Sequence, residues 1–278
     1  MENRITNADL QQFAAYLRQE EKSAGTVEKY LRDVAAFAAH MDGAPITREA
    51  VAAWRDGLVS EGYSPTTVNS MVAAVNALLR FLGWDNCRVK ALRLQRRVFR
   101  DQSRELTREE YDRLLSAAQD KPRLALLMET ICGTGIRVSE VRYITVEAAR
   151  AGRADISLKG KVRTILLPAK LCRKLLKYAR KNKIASGEIF LTRSGKGLTR
   201  RQIWAEMKAL CEKAGVEKSK VFPHNLRHLF ARMFYKVTHD IAKLSDVLGH
   251  SSIETTRIYL ISTGEEHART LDRLGLVS

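Results

Sequence analysis

Three short segments hold the residues whose types and spacing can do chemistry. In "GTGIRVSEV", residues 133–141, Gly133 and Gly135 break one helical pattern and Arg137 stands at the start of the next. Free backbone N–H groups at such a start favour an anion. Arg137 therefore reads either as a bidentate grip on a phosphate or as a surface arginine paired with Glu140. In "FPHNLRHLFARMFYKV", residues 222–237, a helix beginning near His224 buries Leu226, Leu229, Phe230, Met233 and Val237. His224, Arg227, His228 and Ala231 then fall on an adjoining face. Histidine three residues before arginine suits a donor pair aimed at one anion. The plainer reading gives His224 a backbone partner at the helix start and leaves His228 partly exposed; for His228 that reading is preferred.

The third segment is "LGHSSIETTRIYL", residues 248–260. Gly249 ends a helix carrying Leu244, Val247 and Leu248, and His250 falls in the turn. Ser251 and Glu254 have the spacing of a capping box, so a new helix carries Tyr259 about two turns on. Ile258 and Ile261 are better placed than Tyr259 for a core stripe shared with Thr255 and Leu260. Tyr259 is then a half-buried aromatic or a nucleophile, and this segment alone does not decide.

Charge narrows the partner. The chain has 48 Lys and Arg against 31 Asp and Glu, a net +17, with a pI near 9.9, which favours a polyanion. Residues 151–200 hold fourteen basic and two acidic side chains, and residues 86–104 hold seven against one. A basic run by itself is a solvated face; two runs flanking a domain junction point to a nucleic-acid clamp. No apolar run is long enough to span a bilayer, and "MENRITNADL" lacks the pattern of a signal peptide, so no membrane partner and a cytoplasmic, nucleoid-associated protein are expected. Cys87, Cys132, Cys172 and Cys211 form no C-x-x-C pair, and neither a disulfide framework nor a zinc site is expected.

The elements that must position these residues fall into two groups. "NADLQQFAAYLRQEE", "TVEKYLRDVAAFAAHM", "ITREAVAAWRDGLVSEG" and "SPTTVNSMVAAVNALLRFLG" read as four helices of an all-α unit over residues 1–85, with Ser64 as an N-cap and Pro65 at the first helical position. Residues 86–105 read as a basic linker. Thr107 opens a capping box, and residues 106–278 form an α+β domain: helices, a β-hairpin in "ADISLKGKVRTILLP", a basic helix, a short strand "EIFL", and further helices to a tail from about Gly264. The fold class is mainly α with a small β-sheet.

Together the segments resemble the tyrosine recombinase, or phage integrase, family. The matching residues are Arg137, Lys159 in "LKGKVRTILLP", His224 and Arg227 in "HNLRH", His250 in "LGH", and Tyr259 nine residues later. The resemblance spans the catalytic domain in order, and the four-helix unit is similar to the family's core-binding domain. Lys161 is the alternative to Lys159; two residues apart, both lie on one side of a regular strand.

The resemblance implies phosphoryl transfer with no cofactor and no metal: Arg137 and Arg227 neutralise the phosphate, His224 and His250 add hydrogen bonds or move protons, and Lys159 protonates the leaving 5′-oxygen. Tyr259 attacks to give a 3′-phosphotyrosyl link. It further implies double-stranded DNA as partner, a clamp closed around the duplex, and a homotetramer on two duplexes, with the tail of Leu271, Leu274, Leu276 and Val277 docked on a neighbouring protomer. Candidate DNA contacts are Lys29, Arg32, Asn69 and Arg80 on the first unit, Arg96 and Arg97 in the linker, Lys161 in the hairpin, and Arg200, Arg201 and Gln202 at a helix start.

Rival readings are a type IB topoisomerase-like enzyme that nicks and reseals DNA, and a non-catalytic DNA-binding or architectural protein. Within the recombinases, a Xer-type resolvase and a mobile-element integrase both remain open.

Overall fold

The computed structural model describes residues 3–94, 102–158, 161–250, 252–259 and 272–274. The chain divides into two compact units, Met1–Arg96 and Arg97–Ser278. No described helix is long and apolar enough to cross a membrane.

The first unit holds helices α1 (Asn7–Gln19), α2 (Ala24–Met41), α3 (Arg48–Ser60) and α4 (Pro65–Phe81). Each begins where a hydroxyl can take over an orphan N–H: Thr6, Ser23, Thr47 and Ser64 accept from the third helical residue. The apolar faces meet in two clusters, one around Phe13, Leu17 and Leu78 and one around Phe37, Trp54, Val72 and Val75.

The basic segment after α4 is not an open linker at its start. Cys87 and Val89 are buried, and two asparagines on α4 hold the backbone as a neighbouring strand would. Asn76 accepts from Val89 N at 3.1 Å and donates to Val89 O at 2.8 Å; Asn69 accepts from Leu92 N at 2.7 Å and donates to Leu92 O at 2.9 Å. A carboxamide carries both a donor and an acceptor, so it satisfies both groups of a residue that no sheet covers.

The second unit runs through α5 (Arg108–Ala117), α6 (Pro122–Thr134), α7 (Val146–Ala151), strands β1 (Arg153–Leu158) and β2 (Lys161–Leu166), α8 (Ala169–Lys181), α9 (Arg200–Lys208), α10 (Cys211–Ala214), α11 (Pro223–Thr238), α12 (Ile241–Leu248) and α13 (Ile253–Arg257). Capping boxes at Thr107 and Thr199 start α5 and α9. The strands pair antiparallel with Leu158 opposite Lys161 and Ile156 opposite Arg163. "EIFL" is not a strand: Glu188 and Leu191 make isolated bridges to Thr145 and Gly197.

Helix α11 packs on α6 and α12, and this corrects the expected burial pattern. Its first half is enclosed nearly all round, with Leu226, Arg227, His228, Leu229 and Ala231 buried. Farther on, Met233 and Val237 emerge at 38% and 80% exposure, so the 3.6-residue stripe does not persist along the helix.

Helix α6 ends on Gly135, a left-handed C-cap with φ +65°. A Cβ there would lie 2.5 Å from Phe230 Cδ1 and 3.0 Å from Leu248 Cδ2. Gly83 has φ +74° with open space around it. Gly135→Ala is expected to destabilise the second unit by about 1–2 kcal/mol for the left-handed backbone plus about 1–3 kcal/mol for overpacking. Gly83→Ala carries only the first of these, and denaturant unfolding of the two variants measures the difference.

Candidate active site

Two helix ends build the site. Each left-handed glycine cap, Gly135 after α6 and Gly249 after α12, turns the chain so that the last carbonyls of its helix face a common space. Such carbonyls have no intrahelical partner and carry the negative end of the helix dipole, so they suit cations.

Arg227 enters this space from α11 with 1% exposure. It donates from Nη1 to the Gly135 carbonyl, from Nη2 to the Leu248 carbonyl at 2.8 Å, and from Nη2 to His250 Nε2 at 2.9 Å. Burial is the main influence pulling its pKa below the usual arginine value, opposed by a hydrogen bond with Tyr259. Arg137, just beyond α6, donates from Nη1 to Glu140 Oε1 at 2.9 Å and from Nη2 to the Gly249 carbonyl at 3.1 Å. Both readings of its environment are thus realised at once: it pairs with Glu140 and also faces the cavity.

His250 has its tautomer set by its neighbours. A guanidinium only donates, so Nε2 holds its lone pair toward Arg227, and Nδ1–H donates to Thr256 Oγ1 at 2.8 Å. Burial, then Arg227, Arg137 and Arg163, push its pKa down to about 4, and the ring is neutral at pH 7.

Tyr259 is 5% exposed and lies not within a helix but in the turn after α13, its N–H bonded to Thr256 O at 3.0 Å. The N-cap of α13 is Ser252, whose hydroxyl accepts from Glu254 N; Ser251 lies outside the described residues. The short helix turns Tyr259 inward and leaves Ile258 at 56% exposure, the reverse of the expected stripe. The Tyr259 ring stacks on His250 with centroids 5.5 Å apart and an interplanar angle of 16°. It lies 5.9 Å from His224 and 4.3 Å from His228. His228 is therefore a buried wall of the tyrosine's seat rather than a partly exposed residue.

Arg137, His224, Arg227 and Tyr259, with Arg200 and Trp204 at one side, line a cavity of about 310 Å³. A space of that size lined by guanidinium groups, an imidazole and Tyr259 fits a phosphodiester.

Residues 104–266 match the phage integrase family, and residues 10–86 its N-terminal SAM-like domain. The chain is 30% identical to tyrosine recombinase XerA of Pyrococcus furiosus over 99% of this chain and 97% of that one. It is 30% identical to tyrosine recombinase XerC of Roseiflexus castenholzii over 91% and 88%. The chain belongs to the phage integrase family. It is a tyrosine recombinase, and its fold is shared with a lambda integrase tetramer bound to a Holliday junction, at a TM-score of 0.76 and 19% identity over 93% of this chain and 77% of that one.

Of the recombinase residues expected from the sequence, Arg137, His224, Arg227, His250 and Tyr259 come together. Lys159 lies outside the described residues, as do Arg96, Arg97, Leu271, Leu276 and Val277; of Lys161 only the backbone, at the start of β2, is described. The expected DNA contacts differ in their engagement. Lys29 and Arg32 pair with the buried Asp33 at 2.5 and 3.0 Å, Asn69 holds Leu92, and Gln202 caps α9. Arg80, Arg200 and Arg201 are exposed. Glu140, Thr256, Trp204 and Arg163 complete the site without having been singled out as site residues; Glu140 was legible only as a partner three residues from Arg137.

The depressed His250 pKa has a consequence for stability. Above pH 6.5, the ordinary histidine value, the ring is neutral folded and unfolded alike; between there and pH 4 the unfolded chain binds a proton that the folded chain does not. Stability is therefore lost as pH falls through that window. The drop in Tm between pH 7 and 5 is expected to be smaller in His250→Gln than in the wild type; equal drops would contradict the assignment.

Proposed function

We propose that this recombinase cuts and rejoins duplex DNA at a specific site, with Tyr259 as the nucleophile in its own protomer's cavity. The observation that carries this is the stacking of the Tyr259 ring on His250, which itself accepts from Arg227, at a cavity lined by Tyr259, Arg227, Arg137 and His224. A phosphate entering there meets the remaining N–H groups of two arginines, which hold its non-bridging oxygens and neutralise the charge that grows in the transition state.

Tyr259 attacks the phosphorus in line and forms the 3′-phosphotyrosyl bond while the bond to the 5′-oxygen breaks. Its phenolic proton passes to His224, while His250, with both ring nitrogens engaged, holds Arg227 and the tyrosine ring in place. Lys159, or Lys161 in its place, gives a proton to the leaving 5′-oxygen, a role open to an amine whose pKa falls near other cations. The covalent bond stores the energy of the broken one, so attack by a 5′-hydroxyl from a second duplex reseals the strand without ATP. The two guanidinium groups supply the positive charge a divalent ion would otherwise bring.

Four protomers on two duplexes would carry out the exchange, with the tail beyond Glu265 docked on the neighbour. The tetramer of lambda integrase on a Holliday junction supports that assembly. Arg96 and Arg97 are the proposed backbone contacts, and such contacts make binding fall steeply with salt; Lys29, Arg32, Arg80, Arg200 and Arg201 are the proposed base contacts. A Xer-type resolvase and a mobile-element integrase are both consistent with this chemistry.

The test is covalent capture. Nicked duplexes from a random-sequence pool, which lose the 5′-hydroxyl fragment on cleavage, are incubated with protein, and SDS-resistant complexes are recovered and sequenced. Wild type is expected to trap a defined sequence equally well with EDTA and without ATP. Tyr259→Phe is expected to trap at least about 10³-fold less. Efficient relaxation of a supercoiled plasmid lacking the recovered site would favour the topoisomerase-like reading, and trapping that survives Tyr259→Phe would remove the nucleophile.

A further inference from the structure

Strand β2 alternates regularly after its first residues. Ile165 and Leu167 are buried while Leu166 is 76% exposed, so position 163 belongs to the inward row. An arginine occupies it. The Arg163 side chain is 16% exposed and pairs with Glu140, and burial brings its pKa down to about 10, which leaves it charged at pH 7. A cation in an apolar row is expensive unless each contact is well made.

Its contacts are shared ones. Arg163 Nη2 donates to Glu140 Oε2 at 2.9 Å, while Arg137 Nη1 takes the other oxygen, Oε1, at 2.9 Å. Arg163 Nη1 donates to the Leu248 carbonyl, which also accepts from Arg227 Nη2 at 2.8 Å. The approach needs a glycine at 249, because a Cβ there would meet Arg163 Cδ and Nη1. Glu140, 2% exposed, gives Oε1 to Arg137 Nη1, and its Oε2 accepts from both Arg163 Nη2 and the Arg137 backbone N–H, each at 2.9 Å.

We propose that Arg163 is a positioning residue for strand cleavage: by sharing Glu140 with Arg137 and the Leu248 carbonyl with Arg227, it fixes the direction in which those two arginines present their remaining N–H groups to the phosphate. Without it, Oε2 keeps the Arg137 backbone N–H but loses the pull of a second guanidinium, and the carboxylate can pivot about that bond toward the fork geometry that carboxylate and guanidinium prefer, drawing the Arg137 guanidinium away from the cavity. Arg227 would at the same time become the sole side-chain donor described on the Leu248 carbonyl. The idea rests on the reading that Arg137 and Arg227 neutralise the scissile phosphate.

The experiment compares full-length variants on the nicked duplex recovered by covalent capture, made with either a phosphodiester or a neutral methylphosphonate at the scissile position. Replacing a charged oxygen by methyl lowers the demand for aligned guanidinium groups. Arg163→Met is expected to slow phosphodiester cleavage about 10- to 100-fold, as the loss of an outer orienting partner does, and to slow methylphosphonate cleavage far less. Arg163→Lys, which keeps the charge but cannot bridge both acceptors, is expected to fall between. Equal slowing on both substrates would overturn the proposal. If Arg163→Met does not fold, as judged by its thermal transition, Arg163→Lys takes its place: slowing confined to the phosphodiester supports the positioning role, and equal slowing on both substrates again overturns it. Arg137→Ala separates the underlying reading: if methylphosphonate fails to relieve Arg137→Ala, phosphate neutralisation by Arg137 is wrong; if it relieves Arg137→Ala but not the Arg163 variants, only the role of Arg163 falls.

Discussion

A guanidinium taken out of water is the constraint around which the second unit is organised. Arg227 is buried, where an unpaired cation would be strongly unfavourable. It is tolerated because two helices end against it. The Gly135 and Leu248 carbonyls belong to the last turns of α6 and α12, and each adds a hydrogen bond and the negative end of a helix dipole. The glycine caps make those ends possible, since Gly135 and Gly249 both hold left-handed backbone in places with no room for a Cβ. The same arrangement that makes Arg227 acceptable to the fold leaves it facing a cavity that suits a phosphate.

The remaining groups take their states from that cation. Arg227 sets the His250 tautomer by occupying Nε2, and His250 in turn reaches Thr256 and stacks on Tyr259. One line of contacts thus runs from the ends of α6 and α12 through Arg227 and His250 to the Tyr259 ring.

What the sequence made legible follows the range of the interactions. Helix starts at Ser64 and Thr107 are decided within four residues, and both were readable. The hairpin was readable from alternation, and Arg137, His224, Arg227, His250 and Tyr259 from their order and contexts. What escaped depends on partners distant in the chain. The enclosure of His228 is made partly by Tyr259, 31 positions on; the exposure of Met233 and Val237 reflects where α6 and α12 stop packing on α11. Asn69 and Asn76 look like any exposed polar helix residues until the backbone at 89–92 is laid beside them. Arg163 sits in a row whose alternation was visible, yet nothing local says that an inward arginine there has Glu140 to meet.

The placement of Tyr259 outside the helical framework has an evolutionary side. Its ring belongs to a small cluster with Ala231, Leu244 and Leu248, and a phenylalanine could keep that packing. Arg227 has no such substitute, because two helix ends and a histidine are arranged around its charge. Drift that removes the hydroxyl would leave a folded protein still equipped to hold DNA, whereas drift that removes the guanidinium would dismantle the domain. With Tyr259 in the role proposed for it, descendants of such an enzyme can lose cutting without losing their shape, a short route from recombinase to passive occupant of a DNA site.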